Sequence, residues 1–310
     1  MPVQRLLDAR PRTQSVVSRH PTTWFFVLSL TLTWIWEVVA FGLLRLPPIP
    51  AQFLDGFVGP GLAALALTAL TAGKTGLREL LGRCVMWRVG ARWYLLALAG
   101  PAALFVLGTV AIPGALASMD VPPLTFGPRY VGLYIVILLL GGPLGEEPGW
   151  RGFALPRLQR SSGPLMASVI VGLVQGVWHL PLYLFIPGYN ESGAGLIASS
   201  ASFGEFVLVT IPFAIVFTWM ANNTRGSVLL TIMLHASVNT CGLLLVFFPH
   251  VRSGVASQLF FAASALTALL LVVVTRGRLS HECYLREVGT QPRDDAFQPA
   301  STQFGHTSEV

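Results

Sequence analysis

The 310-residue chain reads as an all-α, polytopic membrane protein: about eight transmembrane helices, with a conical polar cavity formed by helices four to seven. Three observations predict this. Hydrophobic residues make up 53% of the chain and charged residues only 11%, with a mean hydropathy of +0.65. A soluble domain of this length cannot hide so much apolar surface. Eight apolar stretches, at 22–44, 53–72, 93–117, 129–147, 164–187, 203–221, 227–248 and 257–275, reach the length that crosses a bilayer, about 17–25 residues. Finally, with the N-terminus placed in the cytoplasm, only Arg45, Arg129 and Arg252 of the 20 Lys and Arg residues fall on the outer side. That asymmetry is the positive-inside pattern, and it puts both termini in the cytoplasm.

Along the chain, residues 1–21 form a basic cytoplasmic segment, 22–276 an eight-helix intramembrane domain, and 277–310 a polar tail expected to be disordered. The first span is too long for a signal-peptide core and is read as retained. It carries Glu37 after Trp34-Ile35-Trp36, with no evident partner. The connection from Gly73 to Ala91 alternates basic and apolar residues, which predicts a short amphipathic helix on the inner membrane surface. Its plainer reading is a topogenic positive patch. The third and sixth spans contain proline. Spans four and five flank Ser161-Ser162-Gly163-Pro164, a strong turn signal, and should form an antiparallel hairpin. The loop at 187–203 should lie outside. Cys84, Cys241 and Cys283 are isolated and fit neither a disulfide framework nor a metal-ligand spacing. A pI near 9.7 reflects topology and contact with anionic lipid, and nothing in the sequence resembles a nucleic-acid surface. No internal repeat is visible, which weakens a transporter reading.

Against this background the acids of the fourth span stand out. Glu146 and Glu147 lie in Gly-Gly-Pro-Leu-Gly-Glu-Glu-Pro-Gly-Trp-Arg-Gly, 141–152. Ionisable groups inside a bilayer are costly, so they pair with one another and mark polar sites. Glu147 and Arg151 are i,i+4 and share a helix face. Pro148 and the surrounding glycines predict a bent or broken helix, tolerated where it lines a cavity. Glu146 and His179 are equidistant from the turn between Ser162 and Gly163, so a regular hairpin brings them to one depth. His235 and Asn239, again i,i+4, project from one face of span seven. Glu146, Glu147, Arg151, His179, His235 and Asn239 can therefore meet in one cavity.

A carboxylate joined to a histidine can activate water for attack on a carbonyl, and a second His with an Asn can donate to the developing oxyanion. A single buried His would more often be a structural hydrogen-bonder, and a lone Glu–Arg pair a packing clamp. Convergence of three polar clusters favours a site.

At these residues the chain resembles the CPBP family: CAAX proteases and bacteriocin-processing or abortive-infection proteins. The motifs are Glu-Glu-x-x-x-Arg (Glu146, Glu147, Arg151, with Gly152 following), a His near the end of span five (His179), and His-x-x-x-Asn (His235, Asn239). Four residues before His179 stands Gln175, where the family commonly has Phe, a departure expected to change pocket shape. The resemblance implies an intramembrane endopeptidase like the prenyl-protein type II CAAX endopeptidases, acting on a membrane protein or peptide at the cell membrane without a cofactor. Carried over by position, Glu146 and His179 would activate water. His235 and Asn239 would hold the oxyanion, and Glu147 and Arg151 would support Glu146. Two rivals stay open: a zinc metalloprotease using Glu146, His179 and His235 as ligands, and a non-catalytic peptide-binding immunity or assembly factor.

Overall fold

The structure, a computed structural model, describes residues 16–47, 52, 54–186 and 195–289. Among the described residues every regular element is helical. Seven helical runs are long and apolar enough to cross a membrane. One of them, Phe126–Phe185, is 60 residues long and is interrupted at Gly163, where the backbone leaves helical geometry (φ 74°, ψ 166°). Divided at that turn, the runs account for all eight expected spans of a multi-pass membrane protein.

Helix α1 is Pro21–Glu37, continued by a π-helical stretch Val38–Leu43. A π-helical entry Phe57–Gly61 leads into α2, Leu62–Cys84, which breaks at Gly73 (φ 61°). The second span thus ends where expected. The basic-apolar segment after it is helical as far as Cys84, buries Leu80, and points Arg83 at three backbone carbonyls. Helix α3, Ala91–Val110, is shorter than the third apolar stretch. The chain turns just beyond it at Ile112-Pro113-Gly114, where proline cannot continue a helix and Gly114 takes a positive φ.

Span four is not one helix. Helix α4, Phe126–Leu140, stops at Gly141-Gly142; α5, Pro143–Glu147, restarts and passes into π-helical Pro148–Ala154. Gly142 has φ 102°, a conformation closed to most L side chains, and Pro143 takes the first helical position, where its missing amide costs nothing. The break expected from the Gly-Pro pattern is there, and it isolates the Glu-Glu pair on a short element of its own. Helix α6, Leu155–Trp178, follows, then α7, Leu180–Phe185. Helices α8, Gly195–Asn223, α9, Val228–Thr240 (with a 3-10 continuation Cys241–Phe247), and α10, Ser253–Val274, complete the spans.

The hairpin register is visible in its contacts. Trp150 meets Trp178 edge-on at 6.1 Å between ring centroids, and Arg151 and Glu146 both meet Gln175. Trp150 is fully buried and also takes the edge of Phe25 from α1 at 5.4 Å. Helix α8 lies along α6, joined by Ser168 Oγ donating to Thr218 Oγ1 (2.8 Å) and Thr210 Oγ1 to the Gly172 carbonyl (2.8 Å). Trp93 and Ala97 of α3 pack with Phe217 and Met220 of α8 and with Leu230 and Leu234 of α9.

The tail departs from expectation at its start. Residues after Val274 turn through Gly277 and form α11, His281–Gly289. Leu279 is fully buried, and its carbonyl accepts from Asn222 Nδ2 at 2.9 Å, while the same nitrogen donates to Gln159 Oε1 at 2.8 Å. Low hydrophobicity suggested disorder, but the segment is docked by buried Leu279 and Tyr284 and by the Asn222 hydrogen bonds. The loop expected at 187–203 is helical from Gly195 onward, because the apolar run of α8 begins earlier than the sixth expected span; residues 187–194 and the stretches 1–15, 48–51, 53 and 290–310 lie outside the described residues.

Candidate active site

The site is built on close backbone contact between α5 and the entry to α2. A Cβ added at Gly145 would lie 2.5 Å from the Phe57 amide nitrogen and 2.6 Å from the Gly56 carbonyl carbon. No side chain fits there, so glycine lets the two backbones touch, as small residues do at membrane helix crossings. One residue later the chain presents Glu146. Its side chain is trapped against Gly56, and a Cβ at Gly142 would lie 2.6 Å from its Oε1.

A connected polar network runs behind Glu146. Gln175 Nε2 donates to Glu146 Oε2 at 3.0 Å. Gln175 Oε1 accepts from an Arg151 guanidinium nitrogen at 2.9 Å, and the same nitrogen donates to Glu147 Oε1, also at 2.9 Å. Glu147 Oε1 additionally receives His235 Nδ1 at 2.9 Å. Arg151 is 3% exposed and Glu147 not at all. A buried guanidinium survives only with partners, and here it has two acceptors and the face of Phe217, 4.5 Å from its carbon. Phe217 in turn meets the His235 ring edge-on at 5.9 Å. Arg83 ties the end of α2 to this segment by donating to the carbonyls of Arg151, Gly152 and Gly226.

His179 sits between α6 and α7, where helical hydrogen bonding is interrupted. Its Nδ1 lies 2.8 Å from the Gln175 carbonyl. A carbonyl can only accept, so Nδ1 carries the proton, and in the neutral ring Nε2 keeps its lone pair. The residue before it is pinned to α1 twice: Trp178 Nε1 donates to Thr33 Oγ1 at 2.8 Å, and Trp34 Nε1 to the Trp178 carbonyl at 3.1 Å. For His235 the acceptor is a carboxylate, which likewise places the proton on Nδ1. Its Nε2 can donate only in the doubly protonated ring.

Glu146, His179, His235 and Asn239 line one cavity of about 520 Å³, and Arg151 and Gln175 also reach its wall. Glu147 lies behind, fully enclosed. Glu146 and His179 thus share a cavity as the hairpin predicts, but the side chain directly opposite Glu146 is Gln175, one helical turn earlier. The cavity extends beyond helices four to seven. Asp55 at the entry to α2, Phe105 of α3, and Ser257, Phe260 and Phe261 of α10 line it too. Besides the Glu–His cluster, phenylalanines of α3, α8 and α10 line it together with aliphatic and small polar side chains.

Sequence reasoning missed Asp55. It is buried, lines the cavity, and lies close enough to the buried Glu37 for the two carboxyl groups to interact, which gives Glu37 the neighbour its sequence context did not reveal. Asp55 is also close enough to Glu146 for their charges to interact. The signal was two acids on either side of the connection between the first two spans. Gln175 had a signal as well: it is i,i+4 to His179 and shares its helix face.

For zinc the fit is poor. Among the described residues no group of three or more His, Cys, Asp or Glu side chains is placed to hold a metal ion.

Two comparisons with known proteins meet this geometry. Residues 128–241 match the family described as type II CAAX prenyl endopeptidase Rce1-like. The curated protein "CAAX prenyl protease 2" of Methanococcus maripaludis is 31% identical over 133 residues, which is 43% of this chain and 48% of that protein. The chain therefore spans about half the length of the curated relative it matches. The matched segment holds all six candidate residues from Glu146 to Asn239, and over it the resemblance to the CAAX-protease family holds.

Proposed function

We propose that this chain is an intramembrane endopeptidase that hydrolyses a peptide bond of a membrane-associated protein or peptide, using a water molecule activated by Glu146 and His179. The observation that carries this reading is the placement of Glu146, His179, His235 and Asn239 around one cavity, with a separate buried network holding Glu146 and His235 from behind.

The chemistry follows from which atoms are free. Glu146 lines the cavity, and among the described residues no donor is assigned to its Oε1, which leaves that oxygen for a water. His179 Nε2 offers a lone pair. As the water oxygen attacks the carbonyl carbon, its proton passes to Glu146, and the carbonyl oxygen gains negative charge. His235 Nε2–H in the doubly protonated ring and the Asn239 amide donate to that oxygen, a contribution that is often the largest catalytic term. Glu147 stabilises the positive ring through Nδ1. The proton held by Glu146 then moves to the leaving nitrogen, the C–N bond breaks, and the carboxylic acid's remaining proton, which came with the water, passes by way of His179 Nε2 to the amine, so that a carboxylate and an ammonium group depart. Membrane enclosure on several sides limits competing water.

The names of the similar proteins suggest a first probe: a quenched peptide ending in a prenylated cysteine followed by three residues. A proteomic comparison of membranes carrying wild type or Glu146→Gln extends the search to natural substrates. The reading requires fragments that appear with wild type and vanish in the variant. Identical peptide patterns, together with an uncut probe, would leave the binding-factor alternative.

A further inference from the structure

Among the described residues Gln175 is the side chain that hydrogen-bonds both Arg151 and Glu146, and its backbone also reaches His179. We infer that Gln175 is a positioning residue that sets the orientation of both water-activating groups, resting on the proposed hydrolytic role of Glu146. Arg151 has no acceptor atoms, so the amide oxygen of Gln175 must face it, and Nε2 is thereby forced toward Glu146 Oε2. The amide cannot flip without setting N–H against N–H at Arg151 and oxygen against oxygen at Glu146. One Glu146 oxygen is thus committed, and the other is left for water. The Gln175 carbonyl, by accepting from His179 Nδ1, fixes the tautomer that leaves Nε2 as the basic nitrogen. A phenylalanine at this position could fill the volume but could transmit nothing from Arg151 to Glu146.

Around Glu146 the other charged or titratable groups are Glu147 and Arg151 from its own segment, His179 at the end of α6, His235 from α9, and Asp55 from the entry to α2. None of these donates a hydrogen bond to Glu146 Oε2, so among the described residues the amide of Gln175 is its donor.

Two substitutions separate positioning from packing. Gln175→Met keeps the volume and removes both hydrogen bonds. Gln175→Glu keeps the bond to Arg151 but replaces the donor facing Glu146 with a carboxylate oxygen. With the prenylated quenched peptide and purified protein, Gln175→Met should lower kcat by about 10–100-fold at all pH values, with KM within about threefold. Gln175→Glu should lose a similar factor near neutral pH and recover relative to wild type as pH falls. A protonated carboxyl group at that place again donates to Glu146 while accepting from Arg151. A purely structural role for Gln175 gives no such recovery. Wild-type kcat in Gln175→Met, or a pH-independent ratio of Gln175→Glu to wild type, would overturn the inference while leaving the hydrolytic reading intact, provided Glu146→Gln is dead in the same assay. Full activity in Glu146→Gln would overturn both.

Discussion

His179 and His235 both line the cavity, yet their Nδ1 atoms face different acceptors, a backbone carbonyl and a carboxylate. The first arrangement suits a neutral base and the second a charged donor, the two roles the proposed mechanism gives them. Glu147 underlies the second role. It accepts from Arg151 and His235 with a single oxygen and is wholly buried. Glu147→Gln should therefore destabilise the protein by about 3–5 kcal/mol, because it strands a buried guanidinium, and thermal unfolding in detergent would read this as a clear drop in Tm. Glu146→Gln keeps size and an acceptor oxygen, so its Tm should stay near wild type. Asn239→Ala, at an exposed cavity position with no protein partner assigned, should leave Tm unchanged and lower kcat by roughly two to three orders of magnitude. The charged members of this cluster were legible in the sequence because charge in an apolar run is conspicuous. The roles of Gln175 and Asp55 were not. An uncharged amide gains meaning only once the hairpin register puts it opposite Glu146. An acid at a span boundary looks solvated until its neighbour across the connection is known.

At the level of elements, the position of Glu146 depends on backbones that touch. The broken fourth span was legible from Gly141, Gly142, Pro143 and Pro148, whose local chemistry forbids a straight helix. The contact that the break permits was not, since nothing local to Gly145 says that it meets Gly56 and Phe57. The third span misled for a related reason: hydropathy continues to residue 117, but Pro113 ends the helix first. Gly145→Ala should cost about 1–3 kcal/mol from overpacking, since the added carbon meets backbone that cannot rotate away. It should also depress cleavage beyond what its Tm loss explains, because Glu146 shifts with α5. A Gly145→Ala protein with wild-type Tm and turnover would show that the crossing is looser than described.

For the whole molecule, the eight spans and the polar cavity followed from composition, the period between motifs and the turn at Gly163. The docking of α11 did not, because a few burying residues in a polar tail leave no hydropathy signal. The basic residues favour a topology with α11 in the cytoplasm and the α3–α4 connection outside. Single cysteines at Leu124, which is fully exposed in that connection, and at Glu282 of α11, in a background without native cysteines, should label from opposite sides of sealed vesicles. Labelling from one side would reverse or break the proposed orientation. The central claim is that a Glu146-activated water does the chemistry. Its most direct test is cleavage of the prenylated peptide by purified wild type and Glu146→Gln, with fragments identified by mass and metal content measured on the same samples. Wild type should cut the peptide and retain activity after chelation, and the variant should fall by about 10³-fold or more at unchanged Tm. Undiminished cleavage by Glu146→Gln, or wild-type activity lost on chelation and restored by stoichiometric zinc, would contradict the account.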